Sequence, residues 1–446
     1  MASGNGRVAL VGGTLIDGNG GVPLRDAVVV IDGNRIAAVG GPGTEIPKDA
    51  ETIRCDGKTV LPGLIDAHVH VTSSSGGQAS PQTEYSPATR AAKMKSWLLF
   101  GVTTIFDMGS NAVFDQLKAD LESGKVVGPR MFGVKYAITS PGGHPTGLGR
   151  ELRLADRDTN LFQVATAEEA RTAVKKAAEG KPDGLKIHHT RSQFPGISCL
   201  DCDLEKHDGE TLRALVDEGH KQGLKVFCHI AWPSEAREAI EAGVDCLAHT
   251  ITHAETGTRP VFELMAARGV GMHTTMTRIE AYFVFKRDPF LREKLRGKVP
   301  DAVLDSLGMP NSISRMRNES DEVEGDARRI MEIARANTKR AHKMGVNIFC
   351  GTDSGGPGGL HGAVVPREIE IINECGLTPM QSIQAATRDA AACIGQSANL
   401  GTVEKGKLAD VIVVAGNPLR DISDLRKIDL VVRDGVVFGS SQLTLN

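Results

Sequence analysis

The 446-residue chain lacks a strong charge of either sign: 52 lysines and arginines stand against 55 aspartates and glutamates, a formal net charge of −3. That balance gives no electrostatic reason to expect nucleic acid or an anionic membrane as a partner. No apolar run approaches the roughly 20 residues that a bilayer span requires. The opening Met-Ala-Ser-Gly-Asn-Gly-Arg leads into a strand-like segment without the apolar stretch of an export signal. The eight cysteines form no disulfide-like framework. They are scattered, and Cys228, Cys246 and Cys350 sit inside apolar strand-like runs, as expected of reduced, buried thiols in a cytoplasmic protein. Internal repeats and low-complexity tracts are also missing. What is plentiful is glycine, 51 residues, which with 40% hydrophobic and 24% charged residues describes a globular enzyme rich in tight loops.

Both ends read as β-structure. Val8–Ile16 and Ala27–Ile31 are apolar or alternating, Asp32-Gly33-Asn34 is a hairpin signal, and Arg35–Val39 is the return strand. Ala409–Val414 and Leu430–Phe438, with a turn at Asp434-Gly435, have the same texture. One small β-sandwich built from both termini is expected, from residues 1–61 and 405–446. Residues 62–404 alternate short β-branched segments with helical ones, the pattern of parallel βα units. Strands are predicted at Leu64–Val71, Thr103–Asp107, Met131–Ile138, Gly184–His188, Lys225–His229, Cys246–His249, Gly271–Thr275 and Asn347–Thr352. Helices are predicted between them, among others at Pro87–Phe100, Ala167–Glu179, Glu210–Gln222, Ser234–Ala242 and Asp326–Met344. The fold class is therefore α/β, a (β/α)8 barrel, with chemistry expected at the C-terminal strand ends. Arg278–Gly325 interrupts the rhythm and is predicted to be an inserted helical lid or interface element.

Six residues end these strands with metal-binding chemistry. His68 and His70, two apart on a strand, project from one face and can reach one ion. Lys186 lies in Gly-Leu-Lys-Ile-His, where an unpaired charge is costly to bury. His229, His249 and Asp353 end Val-Phe-Cys-His, Cys-Leu-Ala-His and Phe-Cys-Gly-Thr-Asp. Any one alone reads as an ordinary polar residue at a strand end; together they fall at a single face of one barrel.

With Pro-Gly-Leu-Ile-Asp-Ala-His-Val-His at 62–70, Gly-Gly-Thr-Leu-Ile-Asp-Gly at 12–18 and Gly-Lys-Leu-Ala-Asp-Val-Ile-Val-Val at 406–414, the chain resembles the amidohydrolase superfamily. The resemblance is to its imidazolonepropionase-like and Xaa-Pro-dipeptidase-like branch. It implies that His68 and His70 bind one divalent metal, with Asp353 in contact, and that His229 and His249 bind a second. Lys186, as N6-carboxylysine, would bridge the two. Nitrogen and oxygen ligands suit Zn2+, and also Mn2+, Fe2+ or Co2+. Water between the metals would have its pKa lowered toward about 7, and Asp353 would act as general base and then acid. The implied reaction is hydrolysis of an amide C–N bond in a small molecule such as a dipeptide, N-acyl amino acid or aryl amide. A homo-oligomer is expected.

Other residues carry weaker signals. His144, in the Gly-Gly-His loop after the third strand, matches a loop that touches substrate in the family; His253 and Arg191 are further substrate-contact candidates. His273 reads as core, and His188 and His189 as supporting or surface groups. Cys199-Leu-Asp-Cys202 has no partner pair at zinc-finger spacing. Tyr282, Phe283, Phe285 and Phe290 stand out in a chain only 4% aromatic, as a cap on substrate or a subunit contact. The competing functions are a lactonase or phosphotriesterase-like esterase on the same barrel, a mononuclear deaminase, for which His229 lacks the following glutamate, a Schiff-base aldolase using Lys186, and a non-catalytic binding member.

Overall fold

The computed structural model describes residues 6–72, 86–109, 113–145, 161–192, 204–253, 257–287, 291–306, 321–355 and 358–445. Five strands precede the parallel region: β1 (Arg7–Leu15), β2 (Leu24–Asp32), β3 (Arg35–Gly40), β4 (Glu51–Arg54) and β5 (Lys58–Pro62). Ten follow: β6 (Leu64–Val69), β7 (Val102–Asp107), β8 (Arg130–Gly133), β9 (Ala137–Thr139), β10 (Leu161–Gln163), β11 (Leu185–His188), β12 (Val226–His229), β13 (Cys246–Leu247), β14 (Gly271–His273) and β15 (Ile348–Phe349). Three come last: β16 (Val411–Ala415), β17 (Ile428–Arg433) and β18 (Val436–Gly439).

The first and last groups join in one eight-stranded sheet, ordered β18-β17-β16-β5-β1-β2-β3 with β4 on β1. The join is antiparallel, Leu61 lying opposite Ile412. Its two faces follow from the period of two. Val60, Val411 and Val413 pack with Val8, Leu10, Val29 and Ile31 in the sheet's own core. Their neighbours Leu61, Ile412 and Val414 join the large cluster shared with the parallel region.

The parallel strands run β6-β7-β8 and β9-β11-β12-β13-β14-β15, with β10 on the far side of β9. Backbone bonds link the two runs. Asp183 N, just ahead of β11, donates to Gly133 O of β8 at 2.9 Å. At the other end Ala67 N donates to Cys350 O at 3.0 Å and His70 N to Ser354 O at 2.7 Å, so the last strand returns to the first. The single strand expected over Met131–Ile138 is two, β8 and β9, because Lys135 between them takes a left-handed φ of 57°.

Helices fall between the strands, and local chemistry sets their starts. Thr166 Oγ1 accepts the Glu169 amide at 3.2 Å ahead of Ala167–Glu179. Asp208 Oδ1 accepts the Thr211 amide at 2.7 Å ahead of Gly209–Lys221. Pro233 opens Pro233–Ala242, which stops at Gly243 with φ 100°. The helices Leu291–Leu295 and Asp301–Ser306 fall within the predicted insertion, and Met276–Arg287 runs into it from two residues before its start. Met276 and Ile279 bury against Ala327, Ile330 and Met331 of the helix Asp321–Lys343, and Tyr282 and Phe283 pack on that cluster. These two aromatics are thus engaged in helix packing; the side chains of Phe285 and Phe290 lie outside the described residues, as does the Cys199–Cys202 pair. No described helix is long and apolar enough to cross a membrane.

Candidate metal centre

β6 carries His68, and His70 follows directly after the strand. Asp353, just beyond β15, points its carboxylate at both: Oδ1 lies 3.2 Å from His70 Nε2 and 3.6 Å from His68 Nε2. Asp353 reaches this position through a left-handed backbone, φ 55°, held by its own N–H bonded to His68 O at 2.8 Å. His70 Nδ1 lies 3.0 Å from Gly109 O. With Nδ1 at the Gly109 carbonyl, the other ring nitrogen, Nε2, is the one turned to Asp353. The Asp107 carboxylate fixes this corner by accepting the amides of Val71 at 2.9 Å and Gly109 at 2.8 Å.

His68 is fully buried, and neither of its ring nitrogens has a hydrogen-bond partner. Burial, and then the Lys186 charge, push its pKa well below the ordinary imidazole value. Burial pushes His70 down as well, but its bond to Asp353 outweighs this and raises its pKa. Burial would push the Asp353 carboxyl up; the His70 hydrogen bond and the charges of His70 and His249 hold it below the usual carboxylate range.

Lys186, on β11, is fully buried with an unpartnered Nζ, and burial lowers its pKa to about 8. On the next strands His229 Nδ1 and His249 Nε2 face each other at 2.8 Å, and His249 Nδ1 meets Thr275 Oγ1 at 2.9 Å. Burial keeps both imidazoles well below their usual pKa. Neutral imidazoles in a buried cluster keep lone pairs for a cation.

The other edge of His229 belongs to a second group. His144, His188 and His229 offer ring nitrogens that all lie within 4.8 Å of one another, as do the donor atoms of His68, His70 and Asp353. His144 Nδ1, His188 Nδ1 and His229 Nε2 have no partner, and burial lowers the His144 pKa to about 3. His188 was not expected here. It lies two residues after Lys186 on the same strand face, a spacing that could have flagged it. Asp66 was also missed: buried beneath His68, it accepts Thr352 Oγ1 at 2.6 Å and the Thr352 amide at 2.9 Å, tying the two ligand strands together. Glu368 does the same for the loop after β14, accepting the amides of Met276 at 2.9 Å and Thr277 at 2.7 Å.

The two remaining contact candidates stand apart from the ligand groups. His253 stacks on Trp232 with ring centroids 3.2 Å apart, and the Arg191 guanidinium lies 5.6 Å from the same indole. Arg191 is 44% exposed. His189 pairs with Glu238 at 2.7 Å.

The sequence profile described as the amidohydrolase family matches residues 59–438, most of the chain. The chain belongs to the amidohydrolase family. This amidohydrolase is 26% identical to the ochratoxinase of Aspergillus niger over 450 residues, covering 92% of this chain and 81% of that protein. It is 23% identical to the imidazolonepropionase of Geobacillus kaustophilus, covering 87% and 84%. Among solved structures it resembles a Xaa-Pro dipeptidase with methionine bound in the active site, with a TM-score of 0.76, 26% identity, and coverage of 97% of this chain and 100% of that one. The amidohydrolase is thus an enzyme, a hydrolase of a family acting on carbon–nitrogen bonds.

Proposed function

We propose that this amidohydrolase cleaves the amide C–N bond of a small molecule at a centre of two divalent metal ions, Zn2+ being the ion its donors suit best. The observation that carries the reading is the convergence of His68 Nε2, His70 Nε2 and Asp353 Oδ1, at 3.2 and 3.6 Å, beside the unpartnered Nζ of Lys186. Nitrogen and oxygen ligands about 2.0–2.2 Å from a tetrahedral ion stand roughly 3.3–3.5 Å apart, so these donors fit one ion. His229 and His249, with Lys186, would hold the other. As a buried amine near its own pKa, Lys186 can add carbon dioxide, losing a proton to become an anionic carbamate with two oxygens for two ions. When bound, the ions supply Lewis acidity toward a carbonyl and make nearby water more acidic. Asp353 then takes the proton from the attacking water and returns it to the leaving nitrogen. The finer architecture proposed for this work is a (β/α)8 barrel, residues 62–404, carrying a sandwich of residues 1–61 and 405–446.

His144 faces the site from the loop after β9 and is proposed to touch substrate; Arg191 and His253, flanking Trp232, are proposed to receive its far end. An amino acid on one side of the scissile bond is supported by the methionine held in the dipeptidase relative. The test is a panel of dipeptides, N-acyl amino acids, aryl amides and lactones with added divalent metal, run on the wild type and Asp353→Asn. The variant should keep its metal and lose about 10²–10⁴-fold in turnover. An active protein free of bound metal, or full turnover in Asp353→Asn, refutes the reading.

A further inference from the structure

A second set of converging donors lies away from the nitrogen and oxygen ligands. Cys246 opens β13, His273 ends β14, and Cys393 ends the helix Arg388–Cys393. All three are buried, at 2%, 0% and 5% exposure. Cys393 Sγ lies 3.4 Å from His273 Nε2 and 3.9 Å from Cys246 Sγ. Zinc takes sulfur at about 2.3 Å and imidazole nitrogen at about 2.0–2.1 Å, so in a tetrahedral arrangement two sulfurs stand roughly 3.8 Å apart and sulfur and nitrogen roughly 3.6 Å. The two spacings to Cys393 Sγ differ from these by only 0.1–0.2 Å, and all three donor atoms lie within 4.8 Å of one another.

The surroundings are apolar: Ile65, Phe106, Phe227, Phe349 and Ile394 belong to the same cluster as the two cysteines. In such a place net charge decides what can be held. A divalent ion with two thiolates and one neutral imidazole is uncharged as a unit. Burial pushes the Cys246 thiol up, whereas the contacts of Cys393 with Cys246 and His273 outweigh its burial and pull that thiol down.

We infer that Cys246, His273 and Cys393 form a thiolate-rich zinc site, separate from the catalytic centre. Binding exchanges one Zn2+ for the two thiol protons, which pass to water, so charge balances and no oxidant is needed. Because the donors are closed off from solvent, the ion is taken up as the chain folds. It would tie β13, β14 and the helix after β15 together directly below the first catalytic histidine: the His273 ring packs edge-on against His68, with centroids 5.4 Å apart.

X-ray absorption at the zinc edge of the wild-type protein should show a sulfur shell at about 2.3 Å beside the nitrogen and oxygen shell. Protein produced with cobalt should show a sulfur-to-cobalt charge-transfer band in the near ultraviolet. That band should vanish in Cys393→Ser and in Cys246→Ser, with bound metal lower by one ion per chain. Only nitrogen and oxygen scatterers in the wild type, unchanged metal content in both folded variants, or a Cys246–Cys393 disulfide revealed by thiol titration would each overturn the site. Bound zinc of about one ion per chain, with two sulfur scatterers beside a single imidazole nitrogen and lost in Cys393→Ser, would support this site while refuting the proposed catalytic centre.

Discussion

Gly351, two residues before Asp353, is wedged between β6 and the end of β14, and replacing it by alanine tests how tightly the centre is set. A Cβ added there would stand 2.7 Å from His68 Cβ, 3.2 Å from His68 N and 3.3 Å from His273 Cβ. Ordinary contact begins at 3.4 Å, so His68 or the new methyl must give way by about 0.7 Å. Neither neighbour is the free end of a flexible chain; both are Cβ or backbone atoms of buried strands. Gly351→Ala should therefore displace His68, the first of the proposed histidine ligands. A misplacement of about 1 Å costs a catalytic site roughly 10²-fold, so a loss of about 10–100-fold in kcat/KM is expected. That corresponds to about 1.4–2.7 kcal/mol of transition-state stabilisation. Overpacking adds about 1–3 kcal/mol of lost folding stability. The assay is kcat/KM on the best amide of the panel, with metal content and thermal unfolding measured on the same preparation. Gly325→Ala is the control: nothing lies within 4 Å of a Cβ there, and it sits in the helix Asp321–Lys343. It should be neutral or gain up to about 1 kcal/mol. A folded Gly351→Ala with the parent's metal content and rate would refute the steric reasoning.

Lys186→Met, similar in length but unable to form a carbamate, should lower bound catalytic metal and reduce turnover at least as much as Asp353→Asn; full metal and rate would remove the bridging role. His207 is buried, neither ring nitrogen has a partner, and burial lowers its pKa to about 4. The stability it contributes as a neutral ring is complete above about pH 6.5 and is lost as pH falls through about 4, by up to about 3 kcal/mol. Unfolding midpoints of His207→Gln and the wild type, followed from pH 7.5 to 4.5, should therefore shift in the variant's favour as acid is added, and a constant gap would contradict this.

Much of the site was legible because ligands at strand ends leave a mark in one dimension: an apolar β-branched run that stops on His, Lys or Asp. The period of two placed His68 and His70 on one face, and the same rule placed Lys186 with His188, although the second consequence was not drawn. What stayed hidden depends on neighbours far apart in the chain. Nothing near Cys393 announces that it meets Cys246 and His273, and Asp66 reads as part of the approach to the histidines until Thr352 is seen bonded to it. Lys135 breaks the third strand by its backbone angle, which its side-chain type does not signal. Tyr282 and Phe283 drew notice by their rarity, yet they serve helix packing.

The pairing of β5 with β16 has a consequence for the order of synthesis. Leu61 and Ile412 are neighbours across the sheet but separated by the whole parallel region. At about 5–20 residues per second, ribosomes need roughly 20–70 s to make that stretch. Throughout that interval β5, which feeds directly into the first catalytic strand, offers an unpaired edge of Val60 and Leu61. A seam that closes only late in synthesis is thus the one next to the residues proposed to hold the metal.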